Sequence, residues 1–530
     1  MPAKKSIENK EVKAVEKKTV KKTASKTAET KTATKKTTTK KVTKTEVSVE
    51  ITPKKSILFV ASEANPFAGT GGLADVIGSL PKALAKNANY DVRVVIPLYE
   101  SVNADWRAQF KFVGNFNVPL SWRNQYCGLF TYKYEGVTFY FIDNEFYFKR
   151  RALYGHLDDG ERFAFFSKAS LEMMRYLNYY PDLMHCHDWQ TALGVIYLKT
   201  LFSQTPGFKS VKTLFTIHNI EYQGKFGYDT YYDLFGLSEY DFCAVEYSGC
   251  INLMKGAIQL SDKFSTVSKT YASEIKDPFF AHGLEGIIRA NENKMTGILN
   301  GIDQDVYSAK KDTKLFANFT EKDFANKKIC KAELQKMLNL PERSETPMIS
   351  IITRLVSQKG LDLIKAVFEE ILAEDVQVVI LGTGDSEYED YFKYVADRYE
   401  SKCRTIIAYN KDLASKIYSG SDIFLMPSKH EPCGLSQMIA CKYGTVPVVR
   451  ATGGLADSIT AHNDGVRKGG NGFKFYNYNA HEMLYVIKDA IFTYGNKPEW
   501  EVLIKNAMKT DFSWKKSACE YEKLYETILN

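Results

Sequence analysis

Two doubly wound α/β domains separated by a cleft are the fold that three features of this chain predict. Short apolar runs ending in turns rich in glycine, histidine or proline recur from Lys55 onward, and apolar residues at helical spacing follow them. The series pauses after Asp303 and begins afresh at Met348. The length of 530 residues exceeds what one hydrophobic core usually supports. Strands alternating with helices twice over give two parallel-sheet domains, whose ligand is expected in the cleft outside the carboxyl ends of the strands.

Composition narrows the class further. Apolar residues make up 44% of the chain, and no apolar run approaches the roughly 18 residues that span a bilayer, so no membrane partner is expected. The nine cysteines are scattered, odd in number and form no Cys-x-x-Cys pair, which speaks against a disulfide framework and a zinc cluster. With no signal-peptide apolar core at the start, a cytoplasmic location is expected, with a plastid as the alternative. The net charge of +8 belongs to the first 50 residues, which carry 15 lysines against six glutamates. The rest of the chain is close to neutral, so nucleic acid is not an expected partner except through that basic segment. Residues 1–53 are Lys, Thr and Ala with almost no large apolar residue and are expected to be a disordered tail, either solubilising or an electrostatic arm.

The first domain is expected over 54–303. It opens on the strand Lys55–Ala61, and three glycines in four residues, Gly69, Gly71 and Gly72, precede the helical pattern Leu73, Val76, Ile77, Leu80. Such a loop lets a ligand approach the backbone and offers N–H groups to an anion, though it is neither Gly-x-Gly-x-x-Gly nor a P-loop. Strands are expected at Asp91–Pro97 and Thr138–Asp143, then a helix over about Glu161–Tyr176. The stretches His185-Cys186-His187-Asp188-Trp189 and Thr216-Ile217-His218-Asn219 place polar and aromatic side chains at strand ends. The histidines read as hydrogen-bonding groups, as packed core residues or as metal ligands, and metal-site spacing is otherwise absent.

After a further strand at about Leu260–Ser268, Asn300-Gly301-Ile302-Asp303 closes the first domain, and the polar residues 304–346 read as a linker. The second domain, 347–511, begins at Met348–Leu355, with Arg354 at the strand end and Lys359-Gly360 before a helix from Leu361. Strands follow at Val376–Leu381, Thr405–Ala408, Asp422–Met426 and Val446–Val449. The fourth leads through Pro427 and the turn His430-Glu431-Pro432-Cys433-Gly434-Leu435 into a helix, setting Glu431 at a strand's carboxyl end, either as a ligand-facing acid or as a solvated one. Residues 512–530 form an amphipathic helix, expected to pack back on the first domain.

Six motifs in register, Gly69–Val76, His185–Trp189, Thr216–Asn219, Asn300–Asp303, Thr353–Gly360 and His430–Leu435, resemble those of the bacterial glycogen synthases and plant starch synthases of the ADP-glucose type. The likeness runs from about Lys55 to the C-terminus. It implies the two-Rossmann glycosyltransferase B fold, no cofactor and no metal, and transfer of glucose with retention from ADP-glucose to the non-reducing 4-hydroxyl of an α-1,4-glucan. By the resemblance Glu431, His218, Arg354 and Lys359 are catalytic, with the two cations stabilising the leaving diphosphate. Thr70, Gly71, Gly72, Asp75, Asn300, Tyr409, Cys433, Gly434, Leu435 and the loop Thr452-Gly453-Gly454 would line the donor, while Asp188, Trp189 and Asn219 would meet the sugar or acceptor. Cys433 reads as a packing residue, since no activating base stands beside it in the sequence.

The chain departs from the family pattern where a lysine usually precedes the glycine loop; here that residue is Gly69. Gly69→Lys is therefore expected to tighten donor binding. Competing readings are a same-fold glycosyltransferase with UDP-glucose or another acceptor, and a non-catalytic glucan- or nucleic-acid-binding protein.

Overall fold

The computed structural model describes residues 54–462 and 469–530, so the expectation of a disordered tail over 1–53 lies outside the described residues. The first sheet has nine strands: β1 (Lys55–Val60), β2 (Tyr90–Pro97), β3 (Lys111–Leu120), β4 (Arg123–Tyr134), β5 (Val137–Asp143), β6 (Leu183–His187), β7 (Lys212–Ile217), β8 (Lys263–Thr266) and β9 (Met295–Gly297). Their order is β9-β8-β7-β6-β1-β2-β5-β4-β3, and all pairings are parallel except those of β4 with β3 and β5. The β3–β4 hairpin is unannounced in the sequence because its strands lie at the sheet edge and mix exposed with buried positions.

The second sheet is wholly parallel, with strands β10 (Met348–Ile352), β11 (Gln377–Gly382), β12 (Cys403–Ile407), β13 (Ile423–Met426), β14 (Val446–Arg450) and β15 (Phe473–Phe475) in the order β12-β11-β10-β13-β14-β15. Ile57–Val60, Val378–Ile380 and Ile423–Leu425 are all buried, as continuous apolar strands covered on both faces should be. In each sheet the strand order reverses beside the opening strand: between β1 and β6 in the first, between β10 and β13 in the second. These switch points, where adjoining loops diverge and leave a crevice, carry the motifs singled out above.

Residues 304–346 are more than a connector. Helix Lys327–Met337 packs into the second domain through Cys330 and Leu334, and its two buried lysines stitch loops together. Lys327 Nζ donates to the carbonyls of Ser419 and Tyr443 and to Thr445 Oγ1, and Lys331 Nζ bridges Asp422 and the Thr346 carbonyl. The segment looks linker-like because its lysines, normally surface residues, here serve as buried hydrogen-bond hubs. The last helix, Trp514–Leu529, lies against helix Gly72–Ala85 of the first domain, burying Tyr521, Leu524, Tyr525 and Ile528. Among the described residues no helix is long and apolar enough to cross a membrane.

Candidate active site

At the first switch point, the glycine loop after β1 is tied down from within. Glu63, buried at the end of β1, accepts both the backbone N–H and the hydroxyl of Thr70 (2.7 and 2.9 Å), and burial raises its carboxyl pKa. Thr70, expected at the donor, thus spends both its donors on Glu63 and acts as a loop anchor. Asp75, in the first turn of helix Gly72–Ala85, accepts from Asn65 Nδ2 at 2.7 Å; burial raises its pKa, while the charge of Lys411 from the second domain opposes the rise. Gly71 and Gly72 are exposed and a β-carbon on either would meet nothing within 4 Å, so nothing inside the described chain requires glycine there. Gly69 is the reverse case. A β-carbon on it would overlap the Ala74 side chain and stand 3.0 Å from Asn65 Oδ1, so this backbone has no room for the lysine that Gly69→Lys would introduce. Any gain in donor binding from that change therefore requires the loop to be displaced first.

The loops after β6 and β7 form a polar cluster. Asp188 adopts φ +57°, ψ 178°, a region populated almost only by glycine and costing about 1–3 kcal/mol. Its carboxylate offsets that strain by accepting the His218 backbone N–H at 2.7 Å. Burial nonetheless pushes its pKa up to about 7. His187 Nδ1 and His218 Nε2 lie 3.0 Å apart. His185 is held between Tyr525 Oη (3.0 Å) and Thr216 Oγ1 (2.6 Å). Burial keeps all three imidazoles neutral, with His218 lowered to about 3. Trp189 packs against Gly224, where a β-carbon would stand 2.8 Å from its ring, and edge-on to Phe163. Asn219 turns its Oδ1 to the Glu221 N–H at 3.1 Å. No group of three or more His, Cys, Asp or Glu side chains among the described residues is placed to hold a metal ion.

At the second switch point the chemistry is charged. Lys359 Nζ and Glu431 Oε2 form a 2.7 Å ion pair with side chains only 13% and 9% exposed, and Ser428 Oγ donates to the same oxygen at 2.9 Å. The pair is placed by backbone fit. Gly360 has φ +72°, and a β-carbon there would overlap the Pro427 carbonyl, so only glycine lets the two loops close. Lys429 N donates to the Gln358 carbonyl across the same seam. Arg354 is exposed, and its guanidinium has no hydrogen-bond or ion-pair partner among the described residues. Its loop is pinned by Leu355 N to Thr383 O and by Asp385 N to Leu355 O. Tyr409, just beyond β12, is 82% exposed.

The Glu431 loop reaches the first domain directly: Ser268 Oγ donates to the Pro432 carbonyl at 2.6 Å, and His430 Nε2 lies 3.8 Å from Glu221. Cys433 is buried against Asn300, and burial raises its thiol to about 12, which leaves it packed rather than nucleophilic. Asn300, expected around the nucleotide, therefore sits against the Cys433 sulfur. Gln437 Nε2 donates to the Cys433 and Gly434 carbonyls and so fixes the turn that leads through Leu435 into the following helix.

The loop Thr452-Gly453-Gly454, expected to line the donor, meets a carboxylate of the first domain here. Glu274 of the first domain accepts from Thr452 Oγ1 (2.8 Å) and Gly453 N (3.1 Å), while Gly454 N donates to the Glu431 carbonyl. These donors are engaged, and both glycines are explained by close approach to the backbone of Glu431 and Cys433. Glu63, His187, Glu274, Ser428 and Lys411 are the site residues that sequence reasoning missed. His187 stood within a quoted motif, but its partner is 31 residues away; the others carry no local signal.

The family model described as the starch synthase catalytic domain matches residues 56–290, and that of the group 1 glycosyl transferases matches 335–509. The glycogen synthase of Alkaliphilus metalliredigens is 48% identical over 474 residues, covering 89% of this chain and 99% of that protein. The glycogen synthase of Clostridium acetobutylicum is 49% identical over 477 residues, covering 89% and 100%. Among solved structures, the catalytic domain of starch synthase IV from Arabidopsis thaliana, bound to ADP and acarbose, superposes with a TM-score of 0.83 at 33% identity, over 90% of this chain and 99% of that one. Sucrose-phosphate synthase from Thermosynechococcus elongatus, at 15% identity and a TM-score of 0.56, shares the fold alone. The chain belongs to the glycogen synthase and starch synthase family of glycosyltransferases, with the two-domain glycosyltransferase B architecture.

Proposed function

We propose that the protein elongates an α-1,4-glucan by transferring glucose, with retention at the anomeric carbon, from ADP-glucose to the non-reducing 4-hydroxyl. The observation that carries this reading is the second switch point, where Arg354, without a partner among the described residues, stands on the loop that leads to the buried Lys359–Glu431 pair. As the bond from the anomeric carbon to phosphate breaks, negative charge grows on the departing diphosphate. Fixed cations in a partly dry cleft stabilise that charge most when they need no reorganisation. Arg354 and Lys359 take this role, with N–H groups at the start of helix Gly72–Ala85 assisting through the open Gly71-Gly72 edge.

Glu431, the turn Cys433-Gly434-Leu435, His218 and Asp188 bracket the transferred sugar. Trp189 and Asn219 lie toward the acceptor, and Tyr409 and Asp75 toward the nucleotide. Lys411, whose charge reaches Asp75, is a second-domain cation on that side. The test is incorporation of labelled glucose into glycogen from ADP-glucose and UDP-glucose side by side, with chelator present. Incorporation chiefly from ADP-glucose is expected. Preference for UDP-glucose overturns the donor, and incorporation from neither overturns the reaction.

A further inference from the structure

The contact between His187 and His218 sets more than the position of a ring. With both imidazoles neutral, one must donate and the other accept along the 3.0 Å line from His187 Nδ1 to His218 Nε2. In one arrangement His187 carries its proton on Nδ1 and donates it, so His218 carries its own on Nδ1. In the other, His218 Nε2–H donates, His187 holds its proton on Nε2, and His218 Nδ1 is bare.

The surroundings choose between them. His187 is fully buried and its Nε2 has no hydrogen-bond partner among the described residues. Its ring stacks on Phe59 at 5.6 Å and lies 4.1 Å from the ring of His185, whose two nitrogens are already committed to Tyr525 and Thr216. The second arrangement would bury an N–H with nothing to accept it, whereas the first leaves only a bare lone pair, and orphaned buried N–H groups are the rarer of the two. Thr191 clamps the His187 backbone, accepting its N–H at 2.6 Å and donating to its carbonyl at 2.8 Å, so the ring has little freedom to turn away. His218 is only half-buried, and its Nδ1 is not among the buried atoms lacking a partner.

We propose that His187 is a positioning residue for the transfer reaction: by donating from Nδ1 it fixes His218 in the Nδ1–H form and makes that nitrogen a neutral hydrogen-bond donor toward the cleft. The group it meets must then present an acceptor, as a sugar hydroxyl or phosphate oxygen does. The role in transfer rests on the function proposed above; the proton's position does not.

The experiment is a nitrogen-15 spectrum of the free, histidine-labelled protein, whose eight histidines are few enough for His187 and His218 to be assigned through His187→Asn and His218→Gln. A proton on Nδ1 of both rings is expected, and a proton on His218 Nε2 overturns the proposal whatever the enzyme's donor proves to be. Kinetics supply the second readout. His187→Phe removes the donor and is expected to lower kcat roughly 10- to 100-fold with little change in KM, the scale typical of lost orienting partners. His187→Asn returns an N–H near the Nδ1 position and should recover most of that loss. Equal loss in both variants, or full activity in His187→Phe, contradicts the role. Should His187→Phe fail to fold, the spectrum of the unaltered protein still decides.

Discussion

The two sheets turn their switch points to the same cleft and equip them in opposite ways. Beside β6 and β7 the polar groups are buried or half-buried and the imidazoles neutral: His187 and His218 share a hydrogen bond, and burial drives the Asp188 carboxyl toward its neutral form. Beside β10 and β13 the groups are charged, with the Lys359–Glu431 pair tightly held and Arg354 exposed. A glucosyl donor has the same division, a neutral polyhydroxyl ring joined to a diphosphate that gains charge as it leaves. Neutral donors and acceptors can orient hydroxyls without a desolvated charge, whereas a leaving anion needs cations already in place. The difference between the halves is thus a division of labour between the two parts of one substrate.

The largest expected effect falls on the buried ion pair. Lys359→Ala strands the Glu431 carboxylate with Ser428 as its remaining side-chain partner and removes a cation from the diphosphate. A loss of about 10²–10³-fold in kcat/KM is expected, with a lowered Tm because a buried charge has lost its partner. Steady-state kinetics and thermal unfolding measure the two losses separately. Arg354→Ala comes next: kcat/KM should fall roughly 100-fold with Tm unchanged, since the guanidinium supports nothing else in the described chain. A Tm loss equal to that of Lys359→Ala would erase the distinction between the two cations.

On the neutral side, Asp188→Asn sharpens the comparison through pH. The folded pKa, near 7, lies above the ordinary value of 3.8, so the native state binds the extra proton between these values and stability falls as pH rises across that window. Asparagine keeps an oxygen for the His218 N–H and removes the titration. The variant should therefore gain stability relative to the parent between pH 4 and pH 7 and hold a constant difference above, as read by denaturant midpoints. The three histidines act with the opposite sign. Their folded pKa values are depressed below 6.5, so the unfolded state binds more protons and stability is lost as pH falls below about 6.5. The smallest effect is expected at Gly69. Gly69→Ala meets the Ala74 side chain and should cost about 1–3 kcal/mol in stability, or less if the exposed loop shifts, with no tightening of donor binding.

Much of this site is legible in the sequence because parallel α/β sheets put ligand-facing residues at strand ends, and strand ends are local features. Arg354, Lys359, Glu431, Asp188 and His218 all stand within one to seven residues of the end of a buried strand. What escaped depends on meetings across long separations. Glu274 caps Gly453 from 179 residues away, and that carboxylate stands on the loop expected to line the donor. Thr70 looks ligand-facing until Glu63 is found beneath it. Residues 304–346 look like a linker because nothing local says that Lys327 and Lys331 are buried. The β3–β4 hairpin lacks the continuous apolar run by which the inner strands are recognised.

The measurement that bears most directly on the division of labour is ADP inhibition of glucose transfer in Arg354→Ala and His218→Ala, compared with the parent. Arg354→Ala is expected to raise the inhibition constant of ADP by at least about tenfold, while His218→Ala lowers kcat and leaves that constant within about twofold of the parent. Weakened ADP binding in His218→Ala with none in Arg354→Ala would contradict that division.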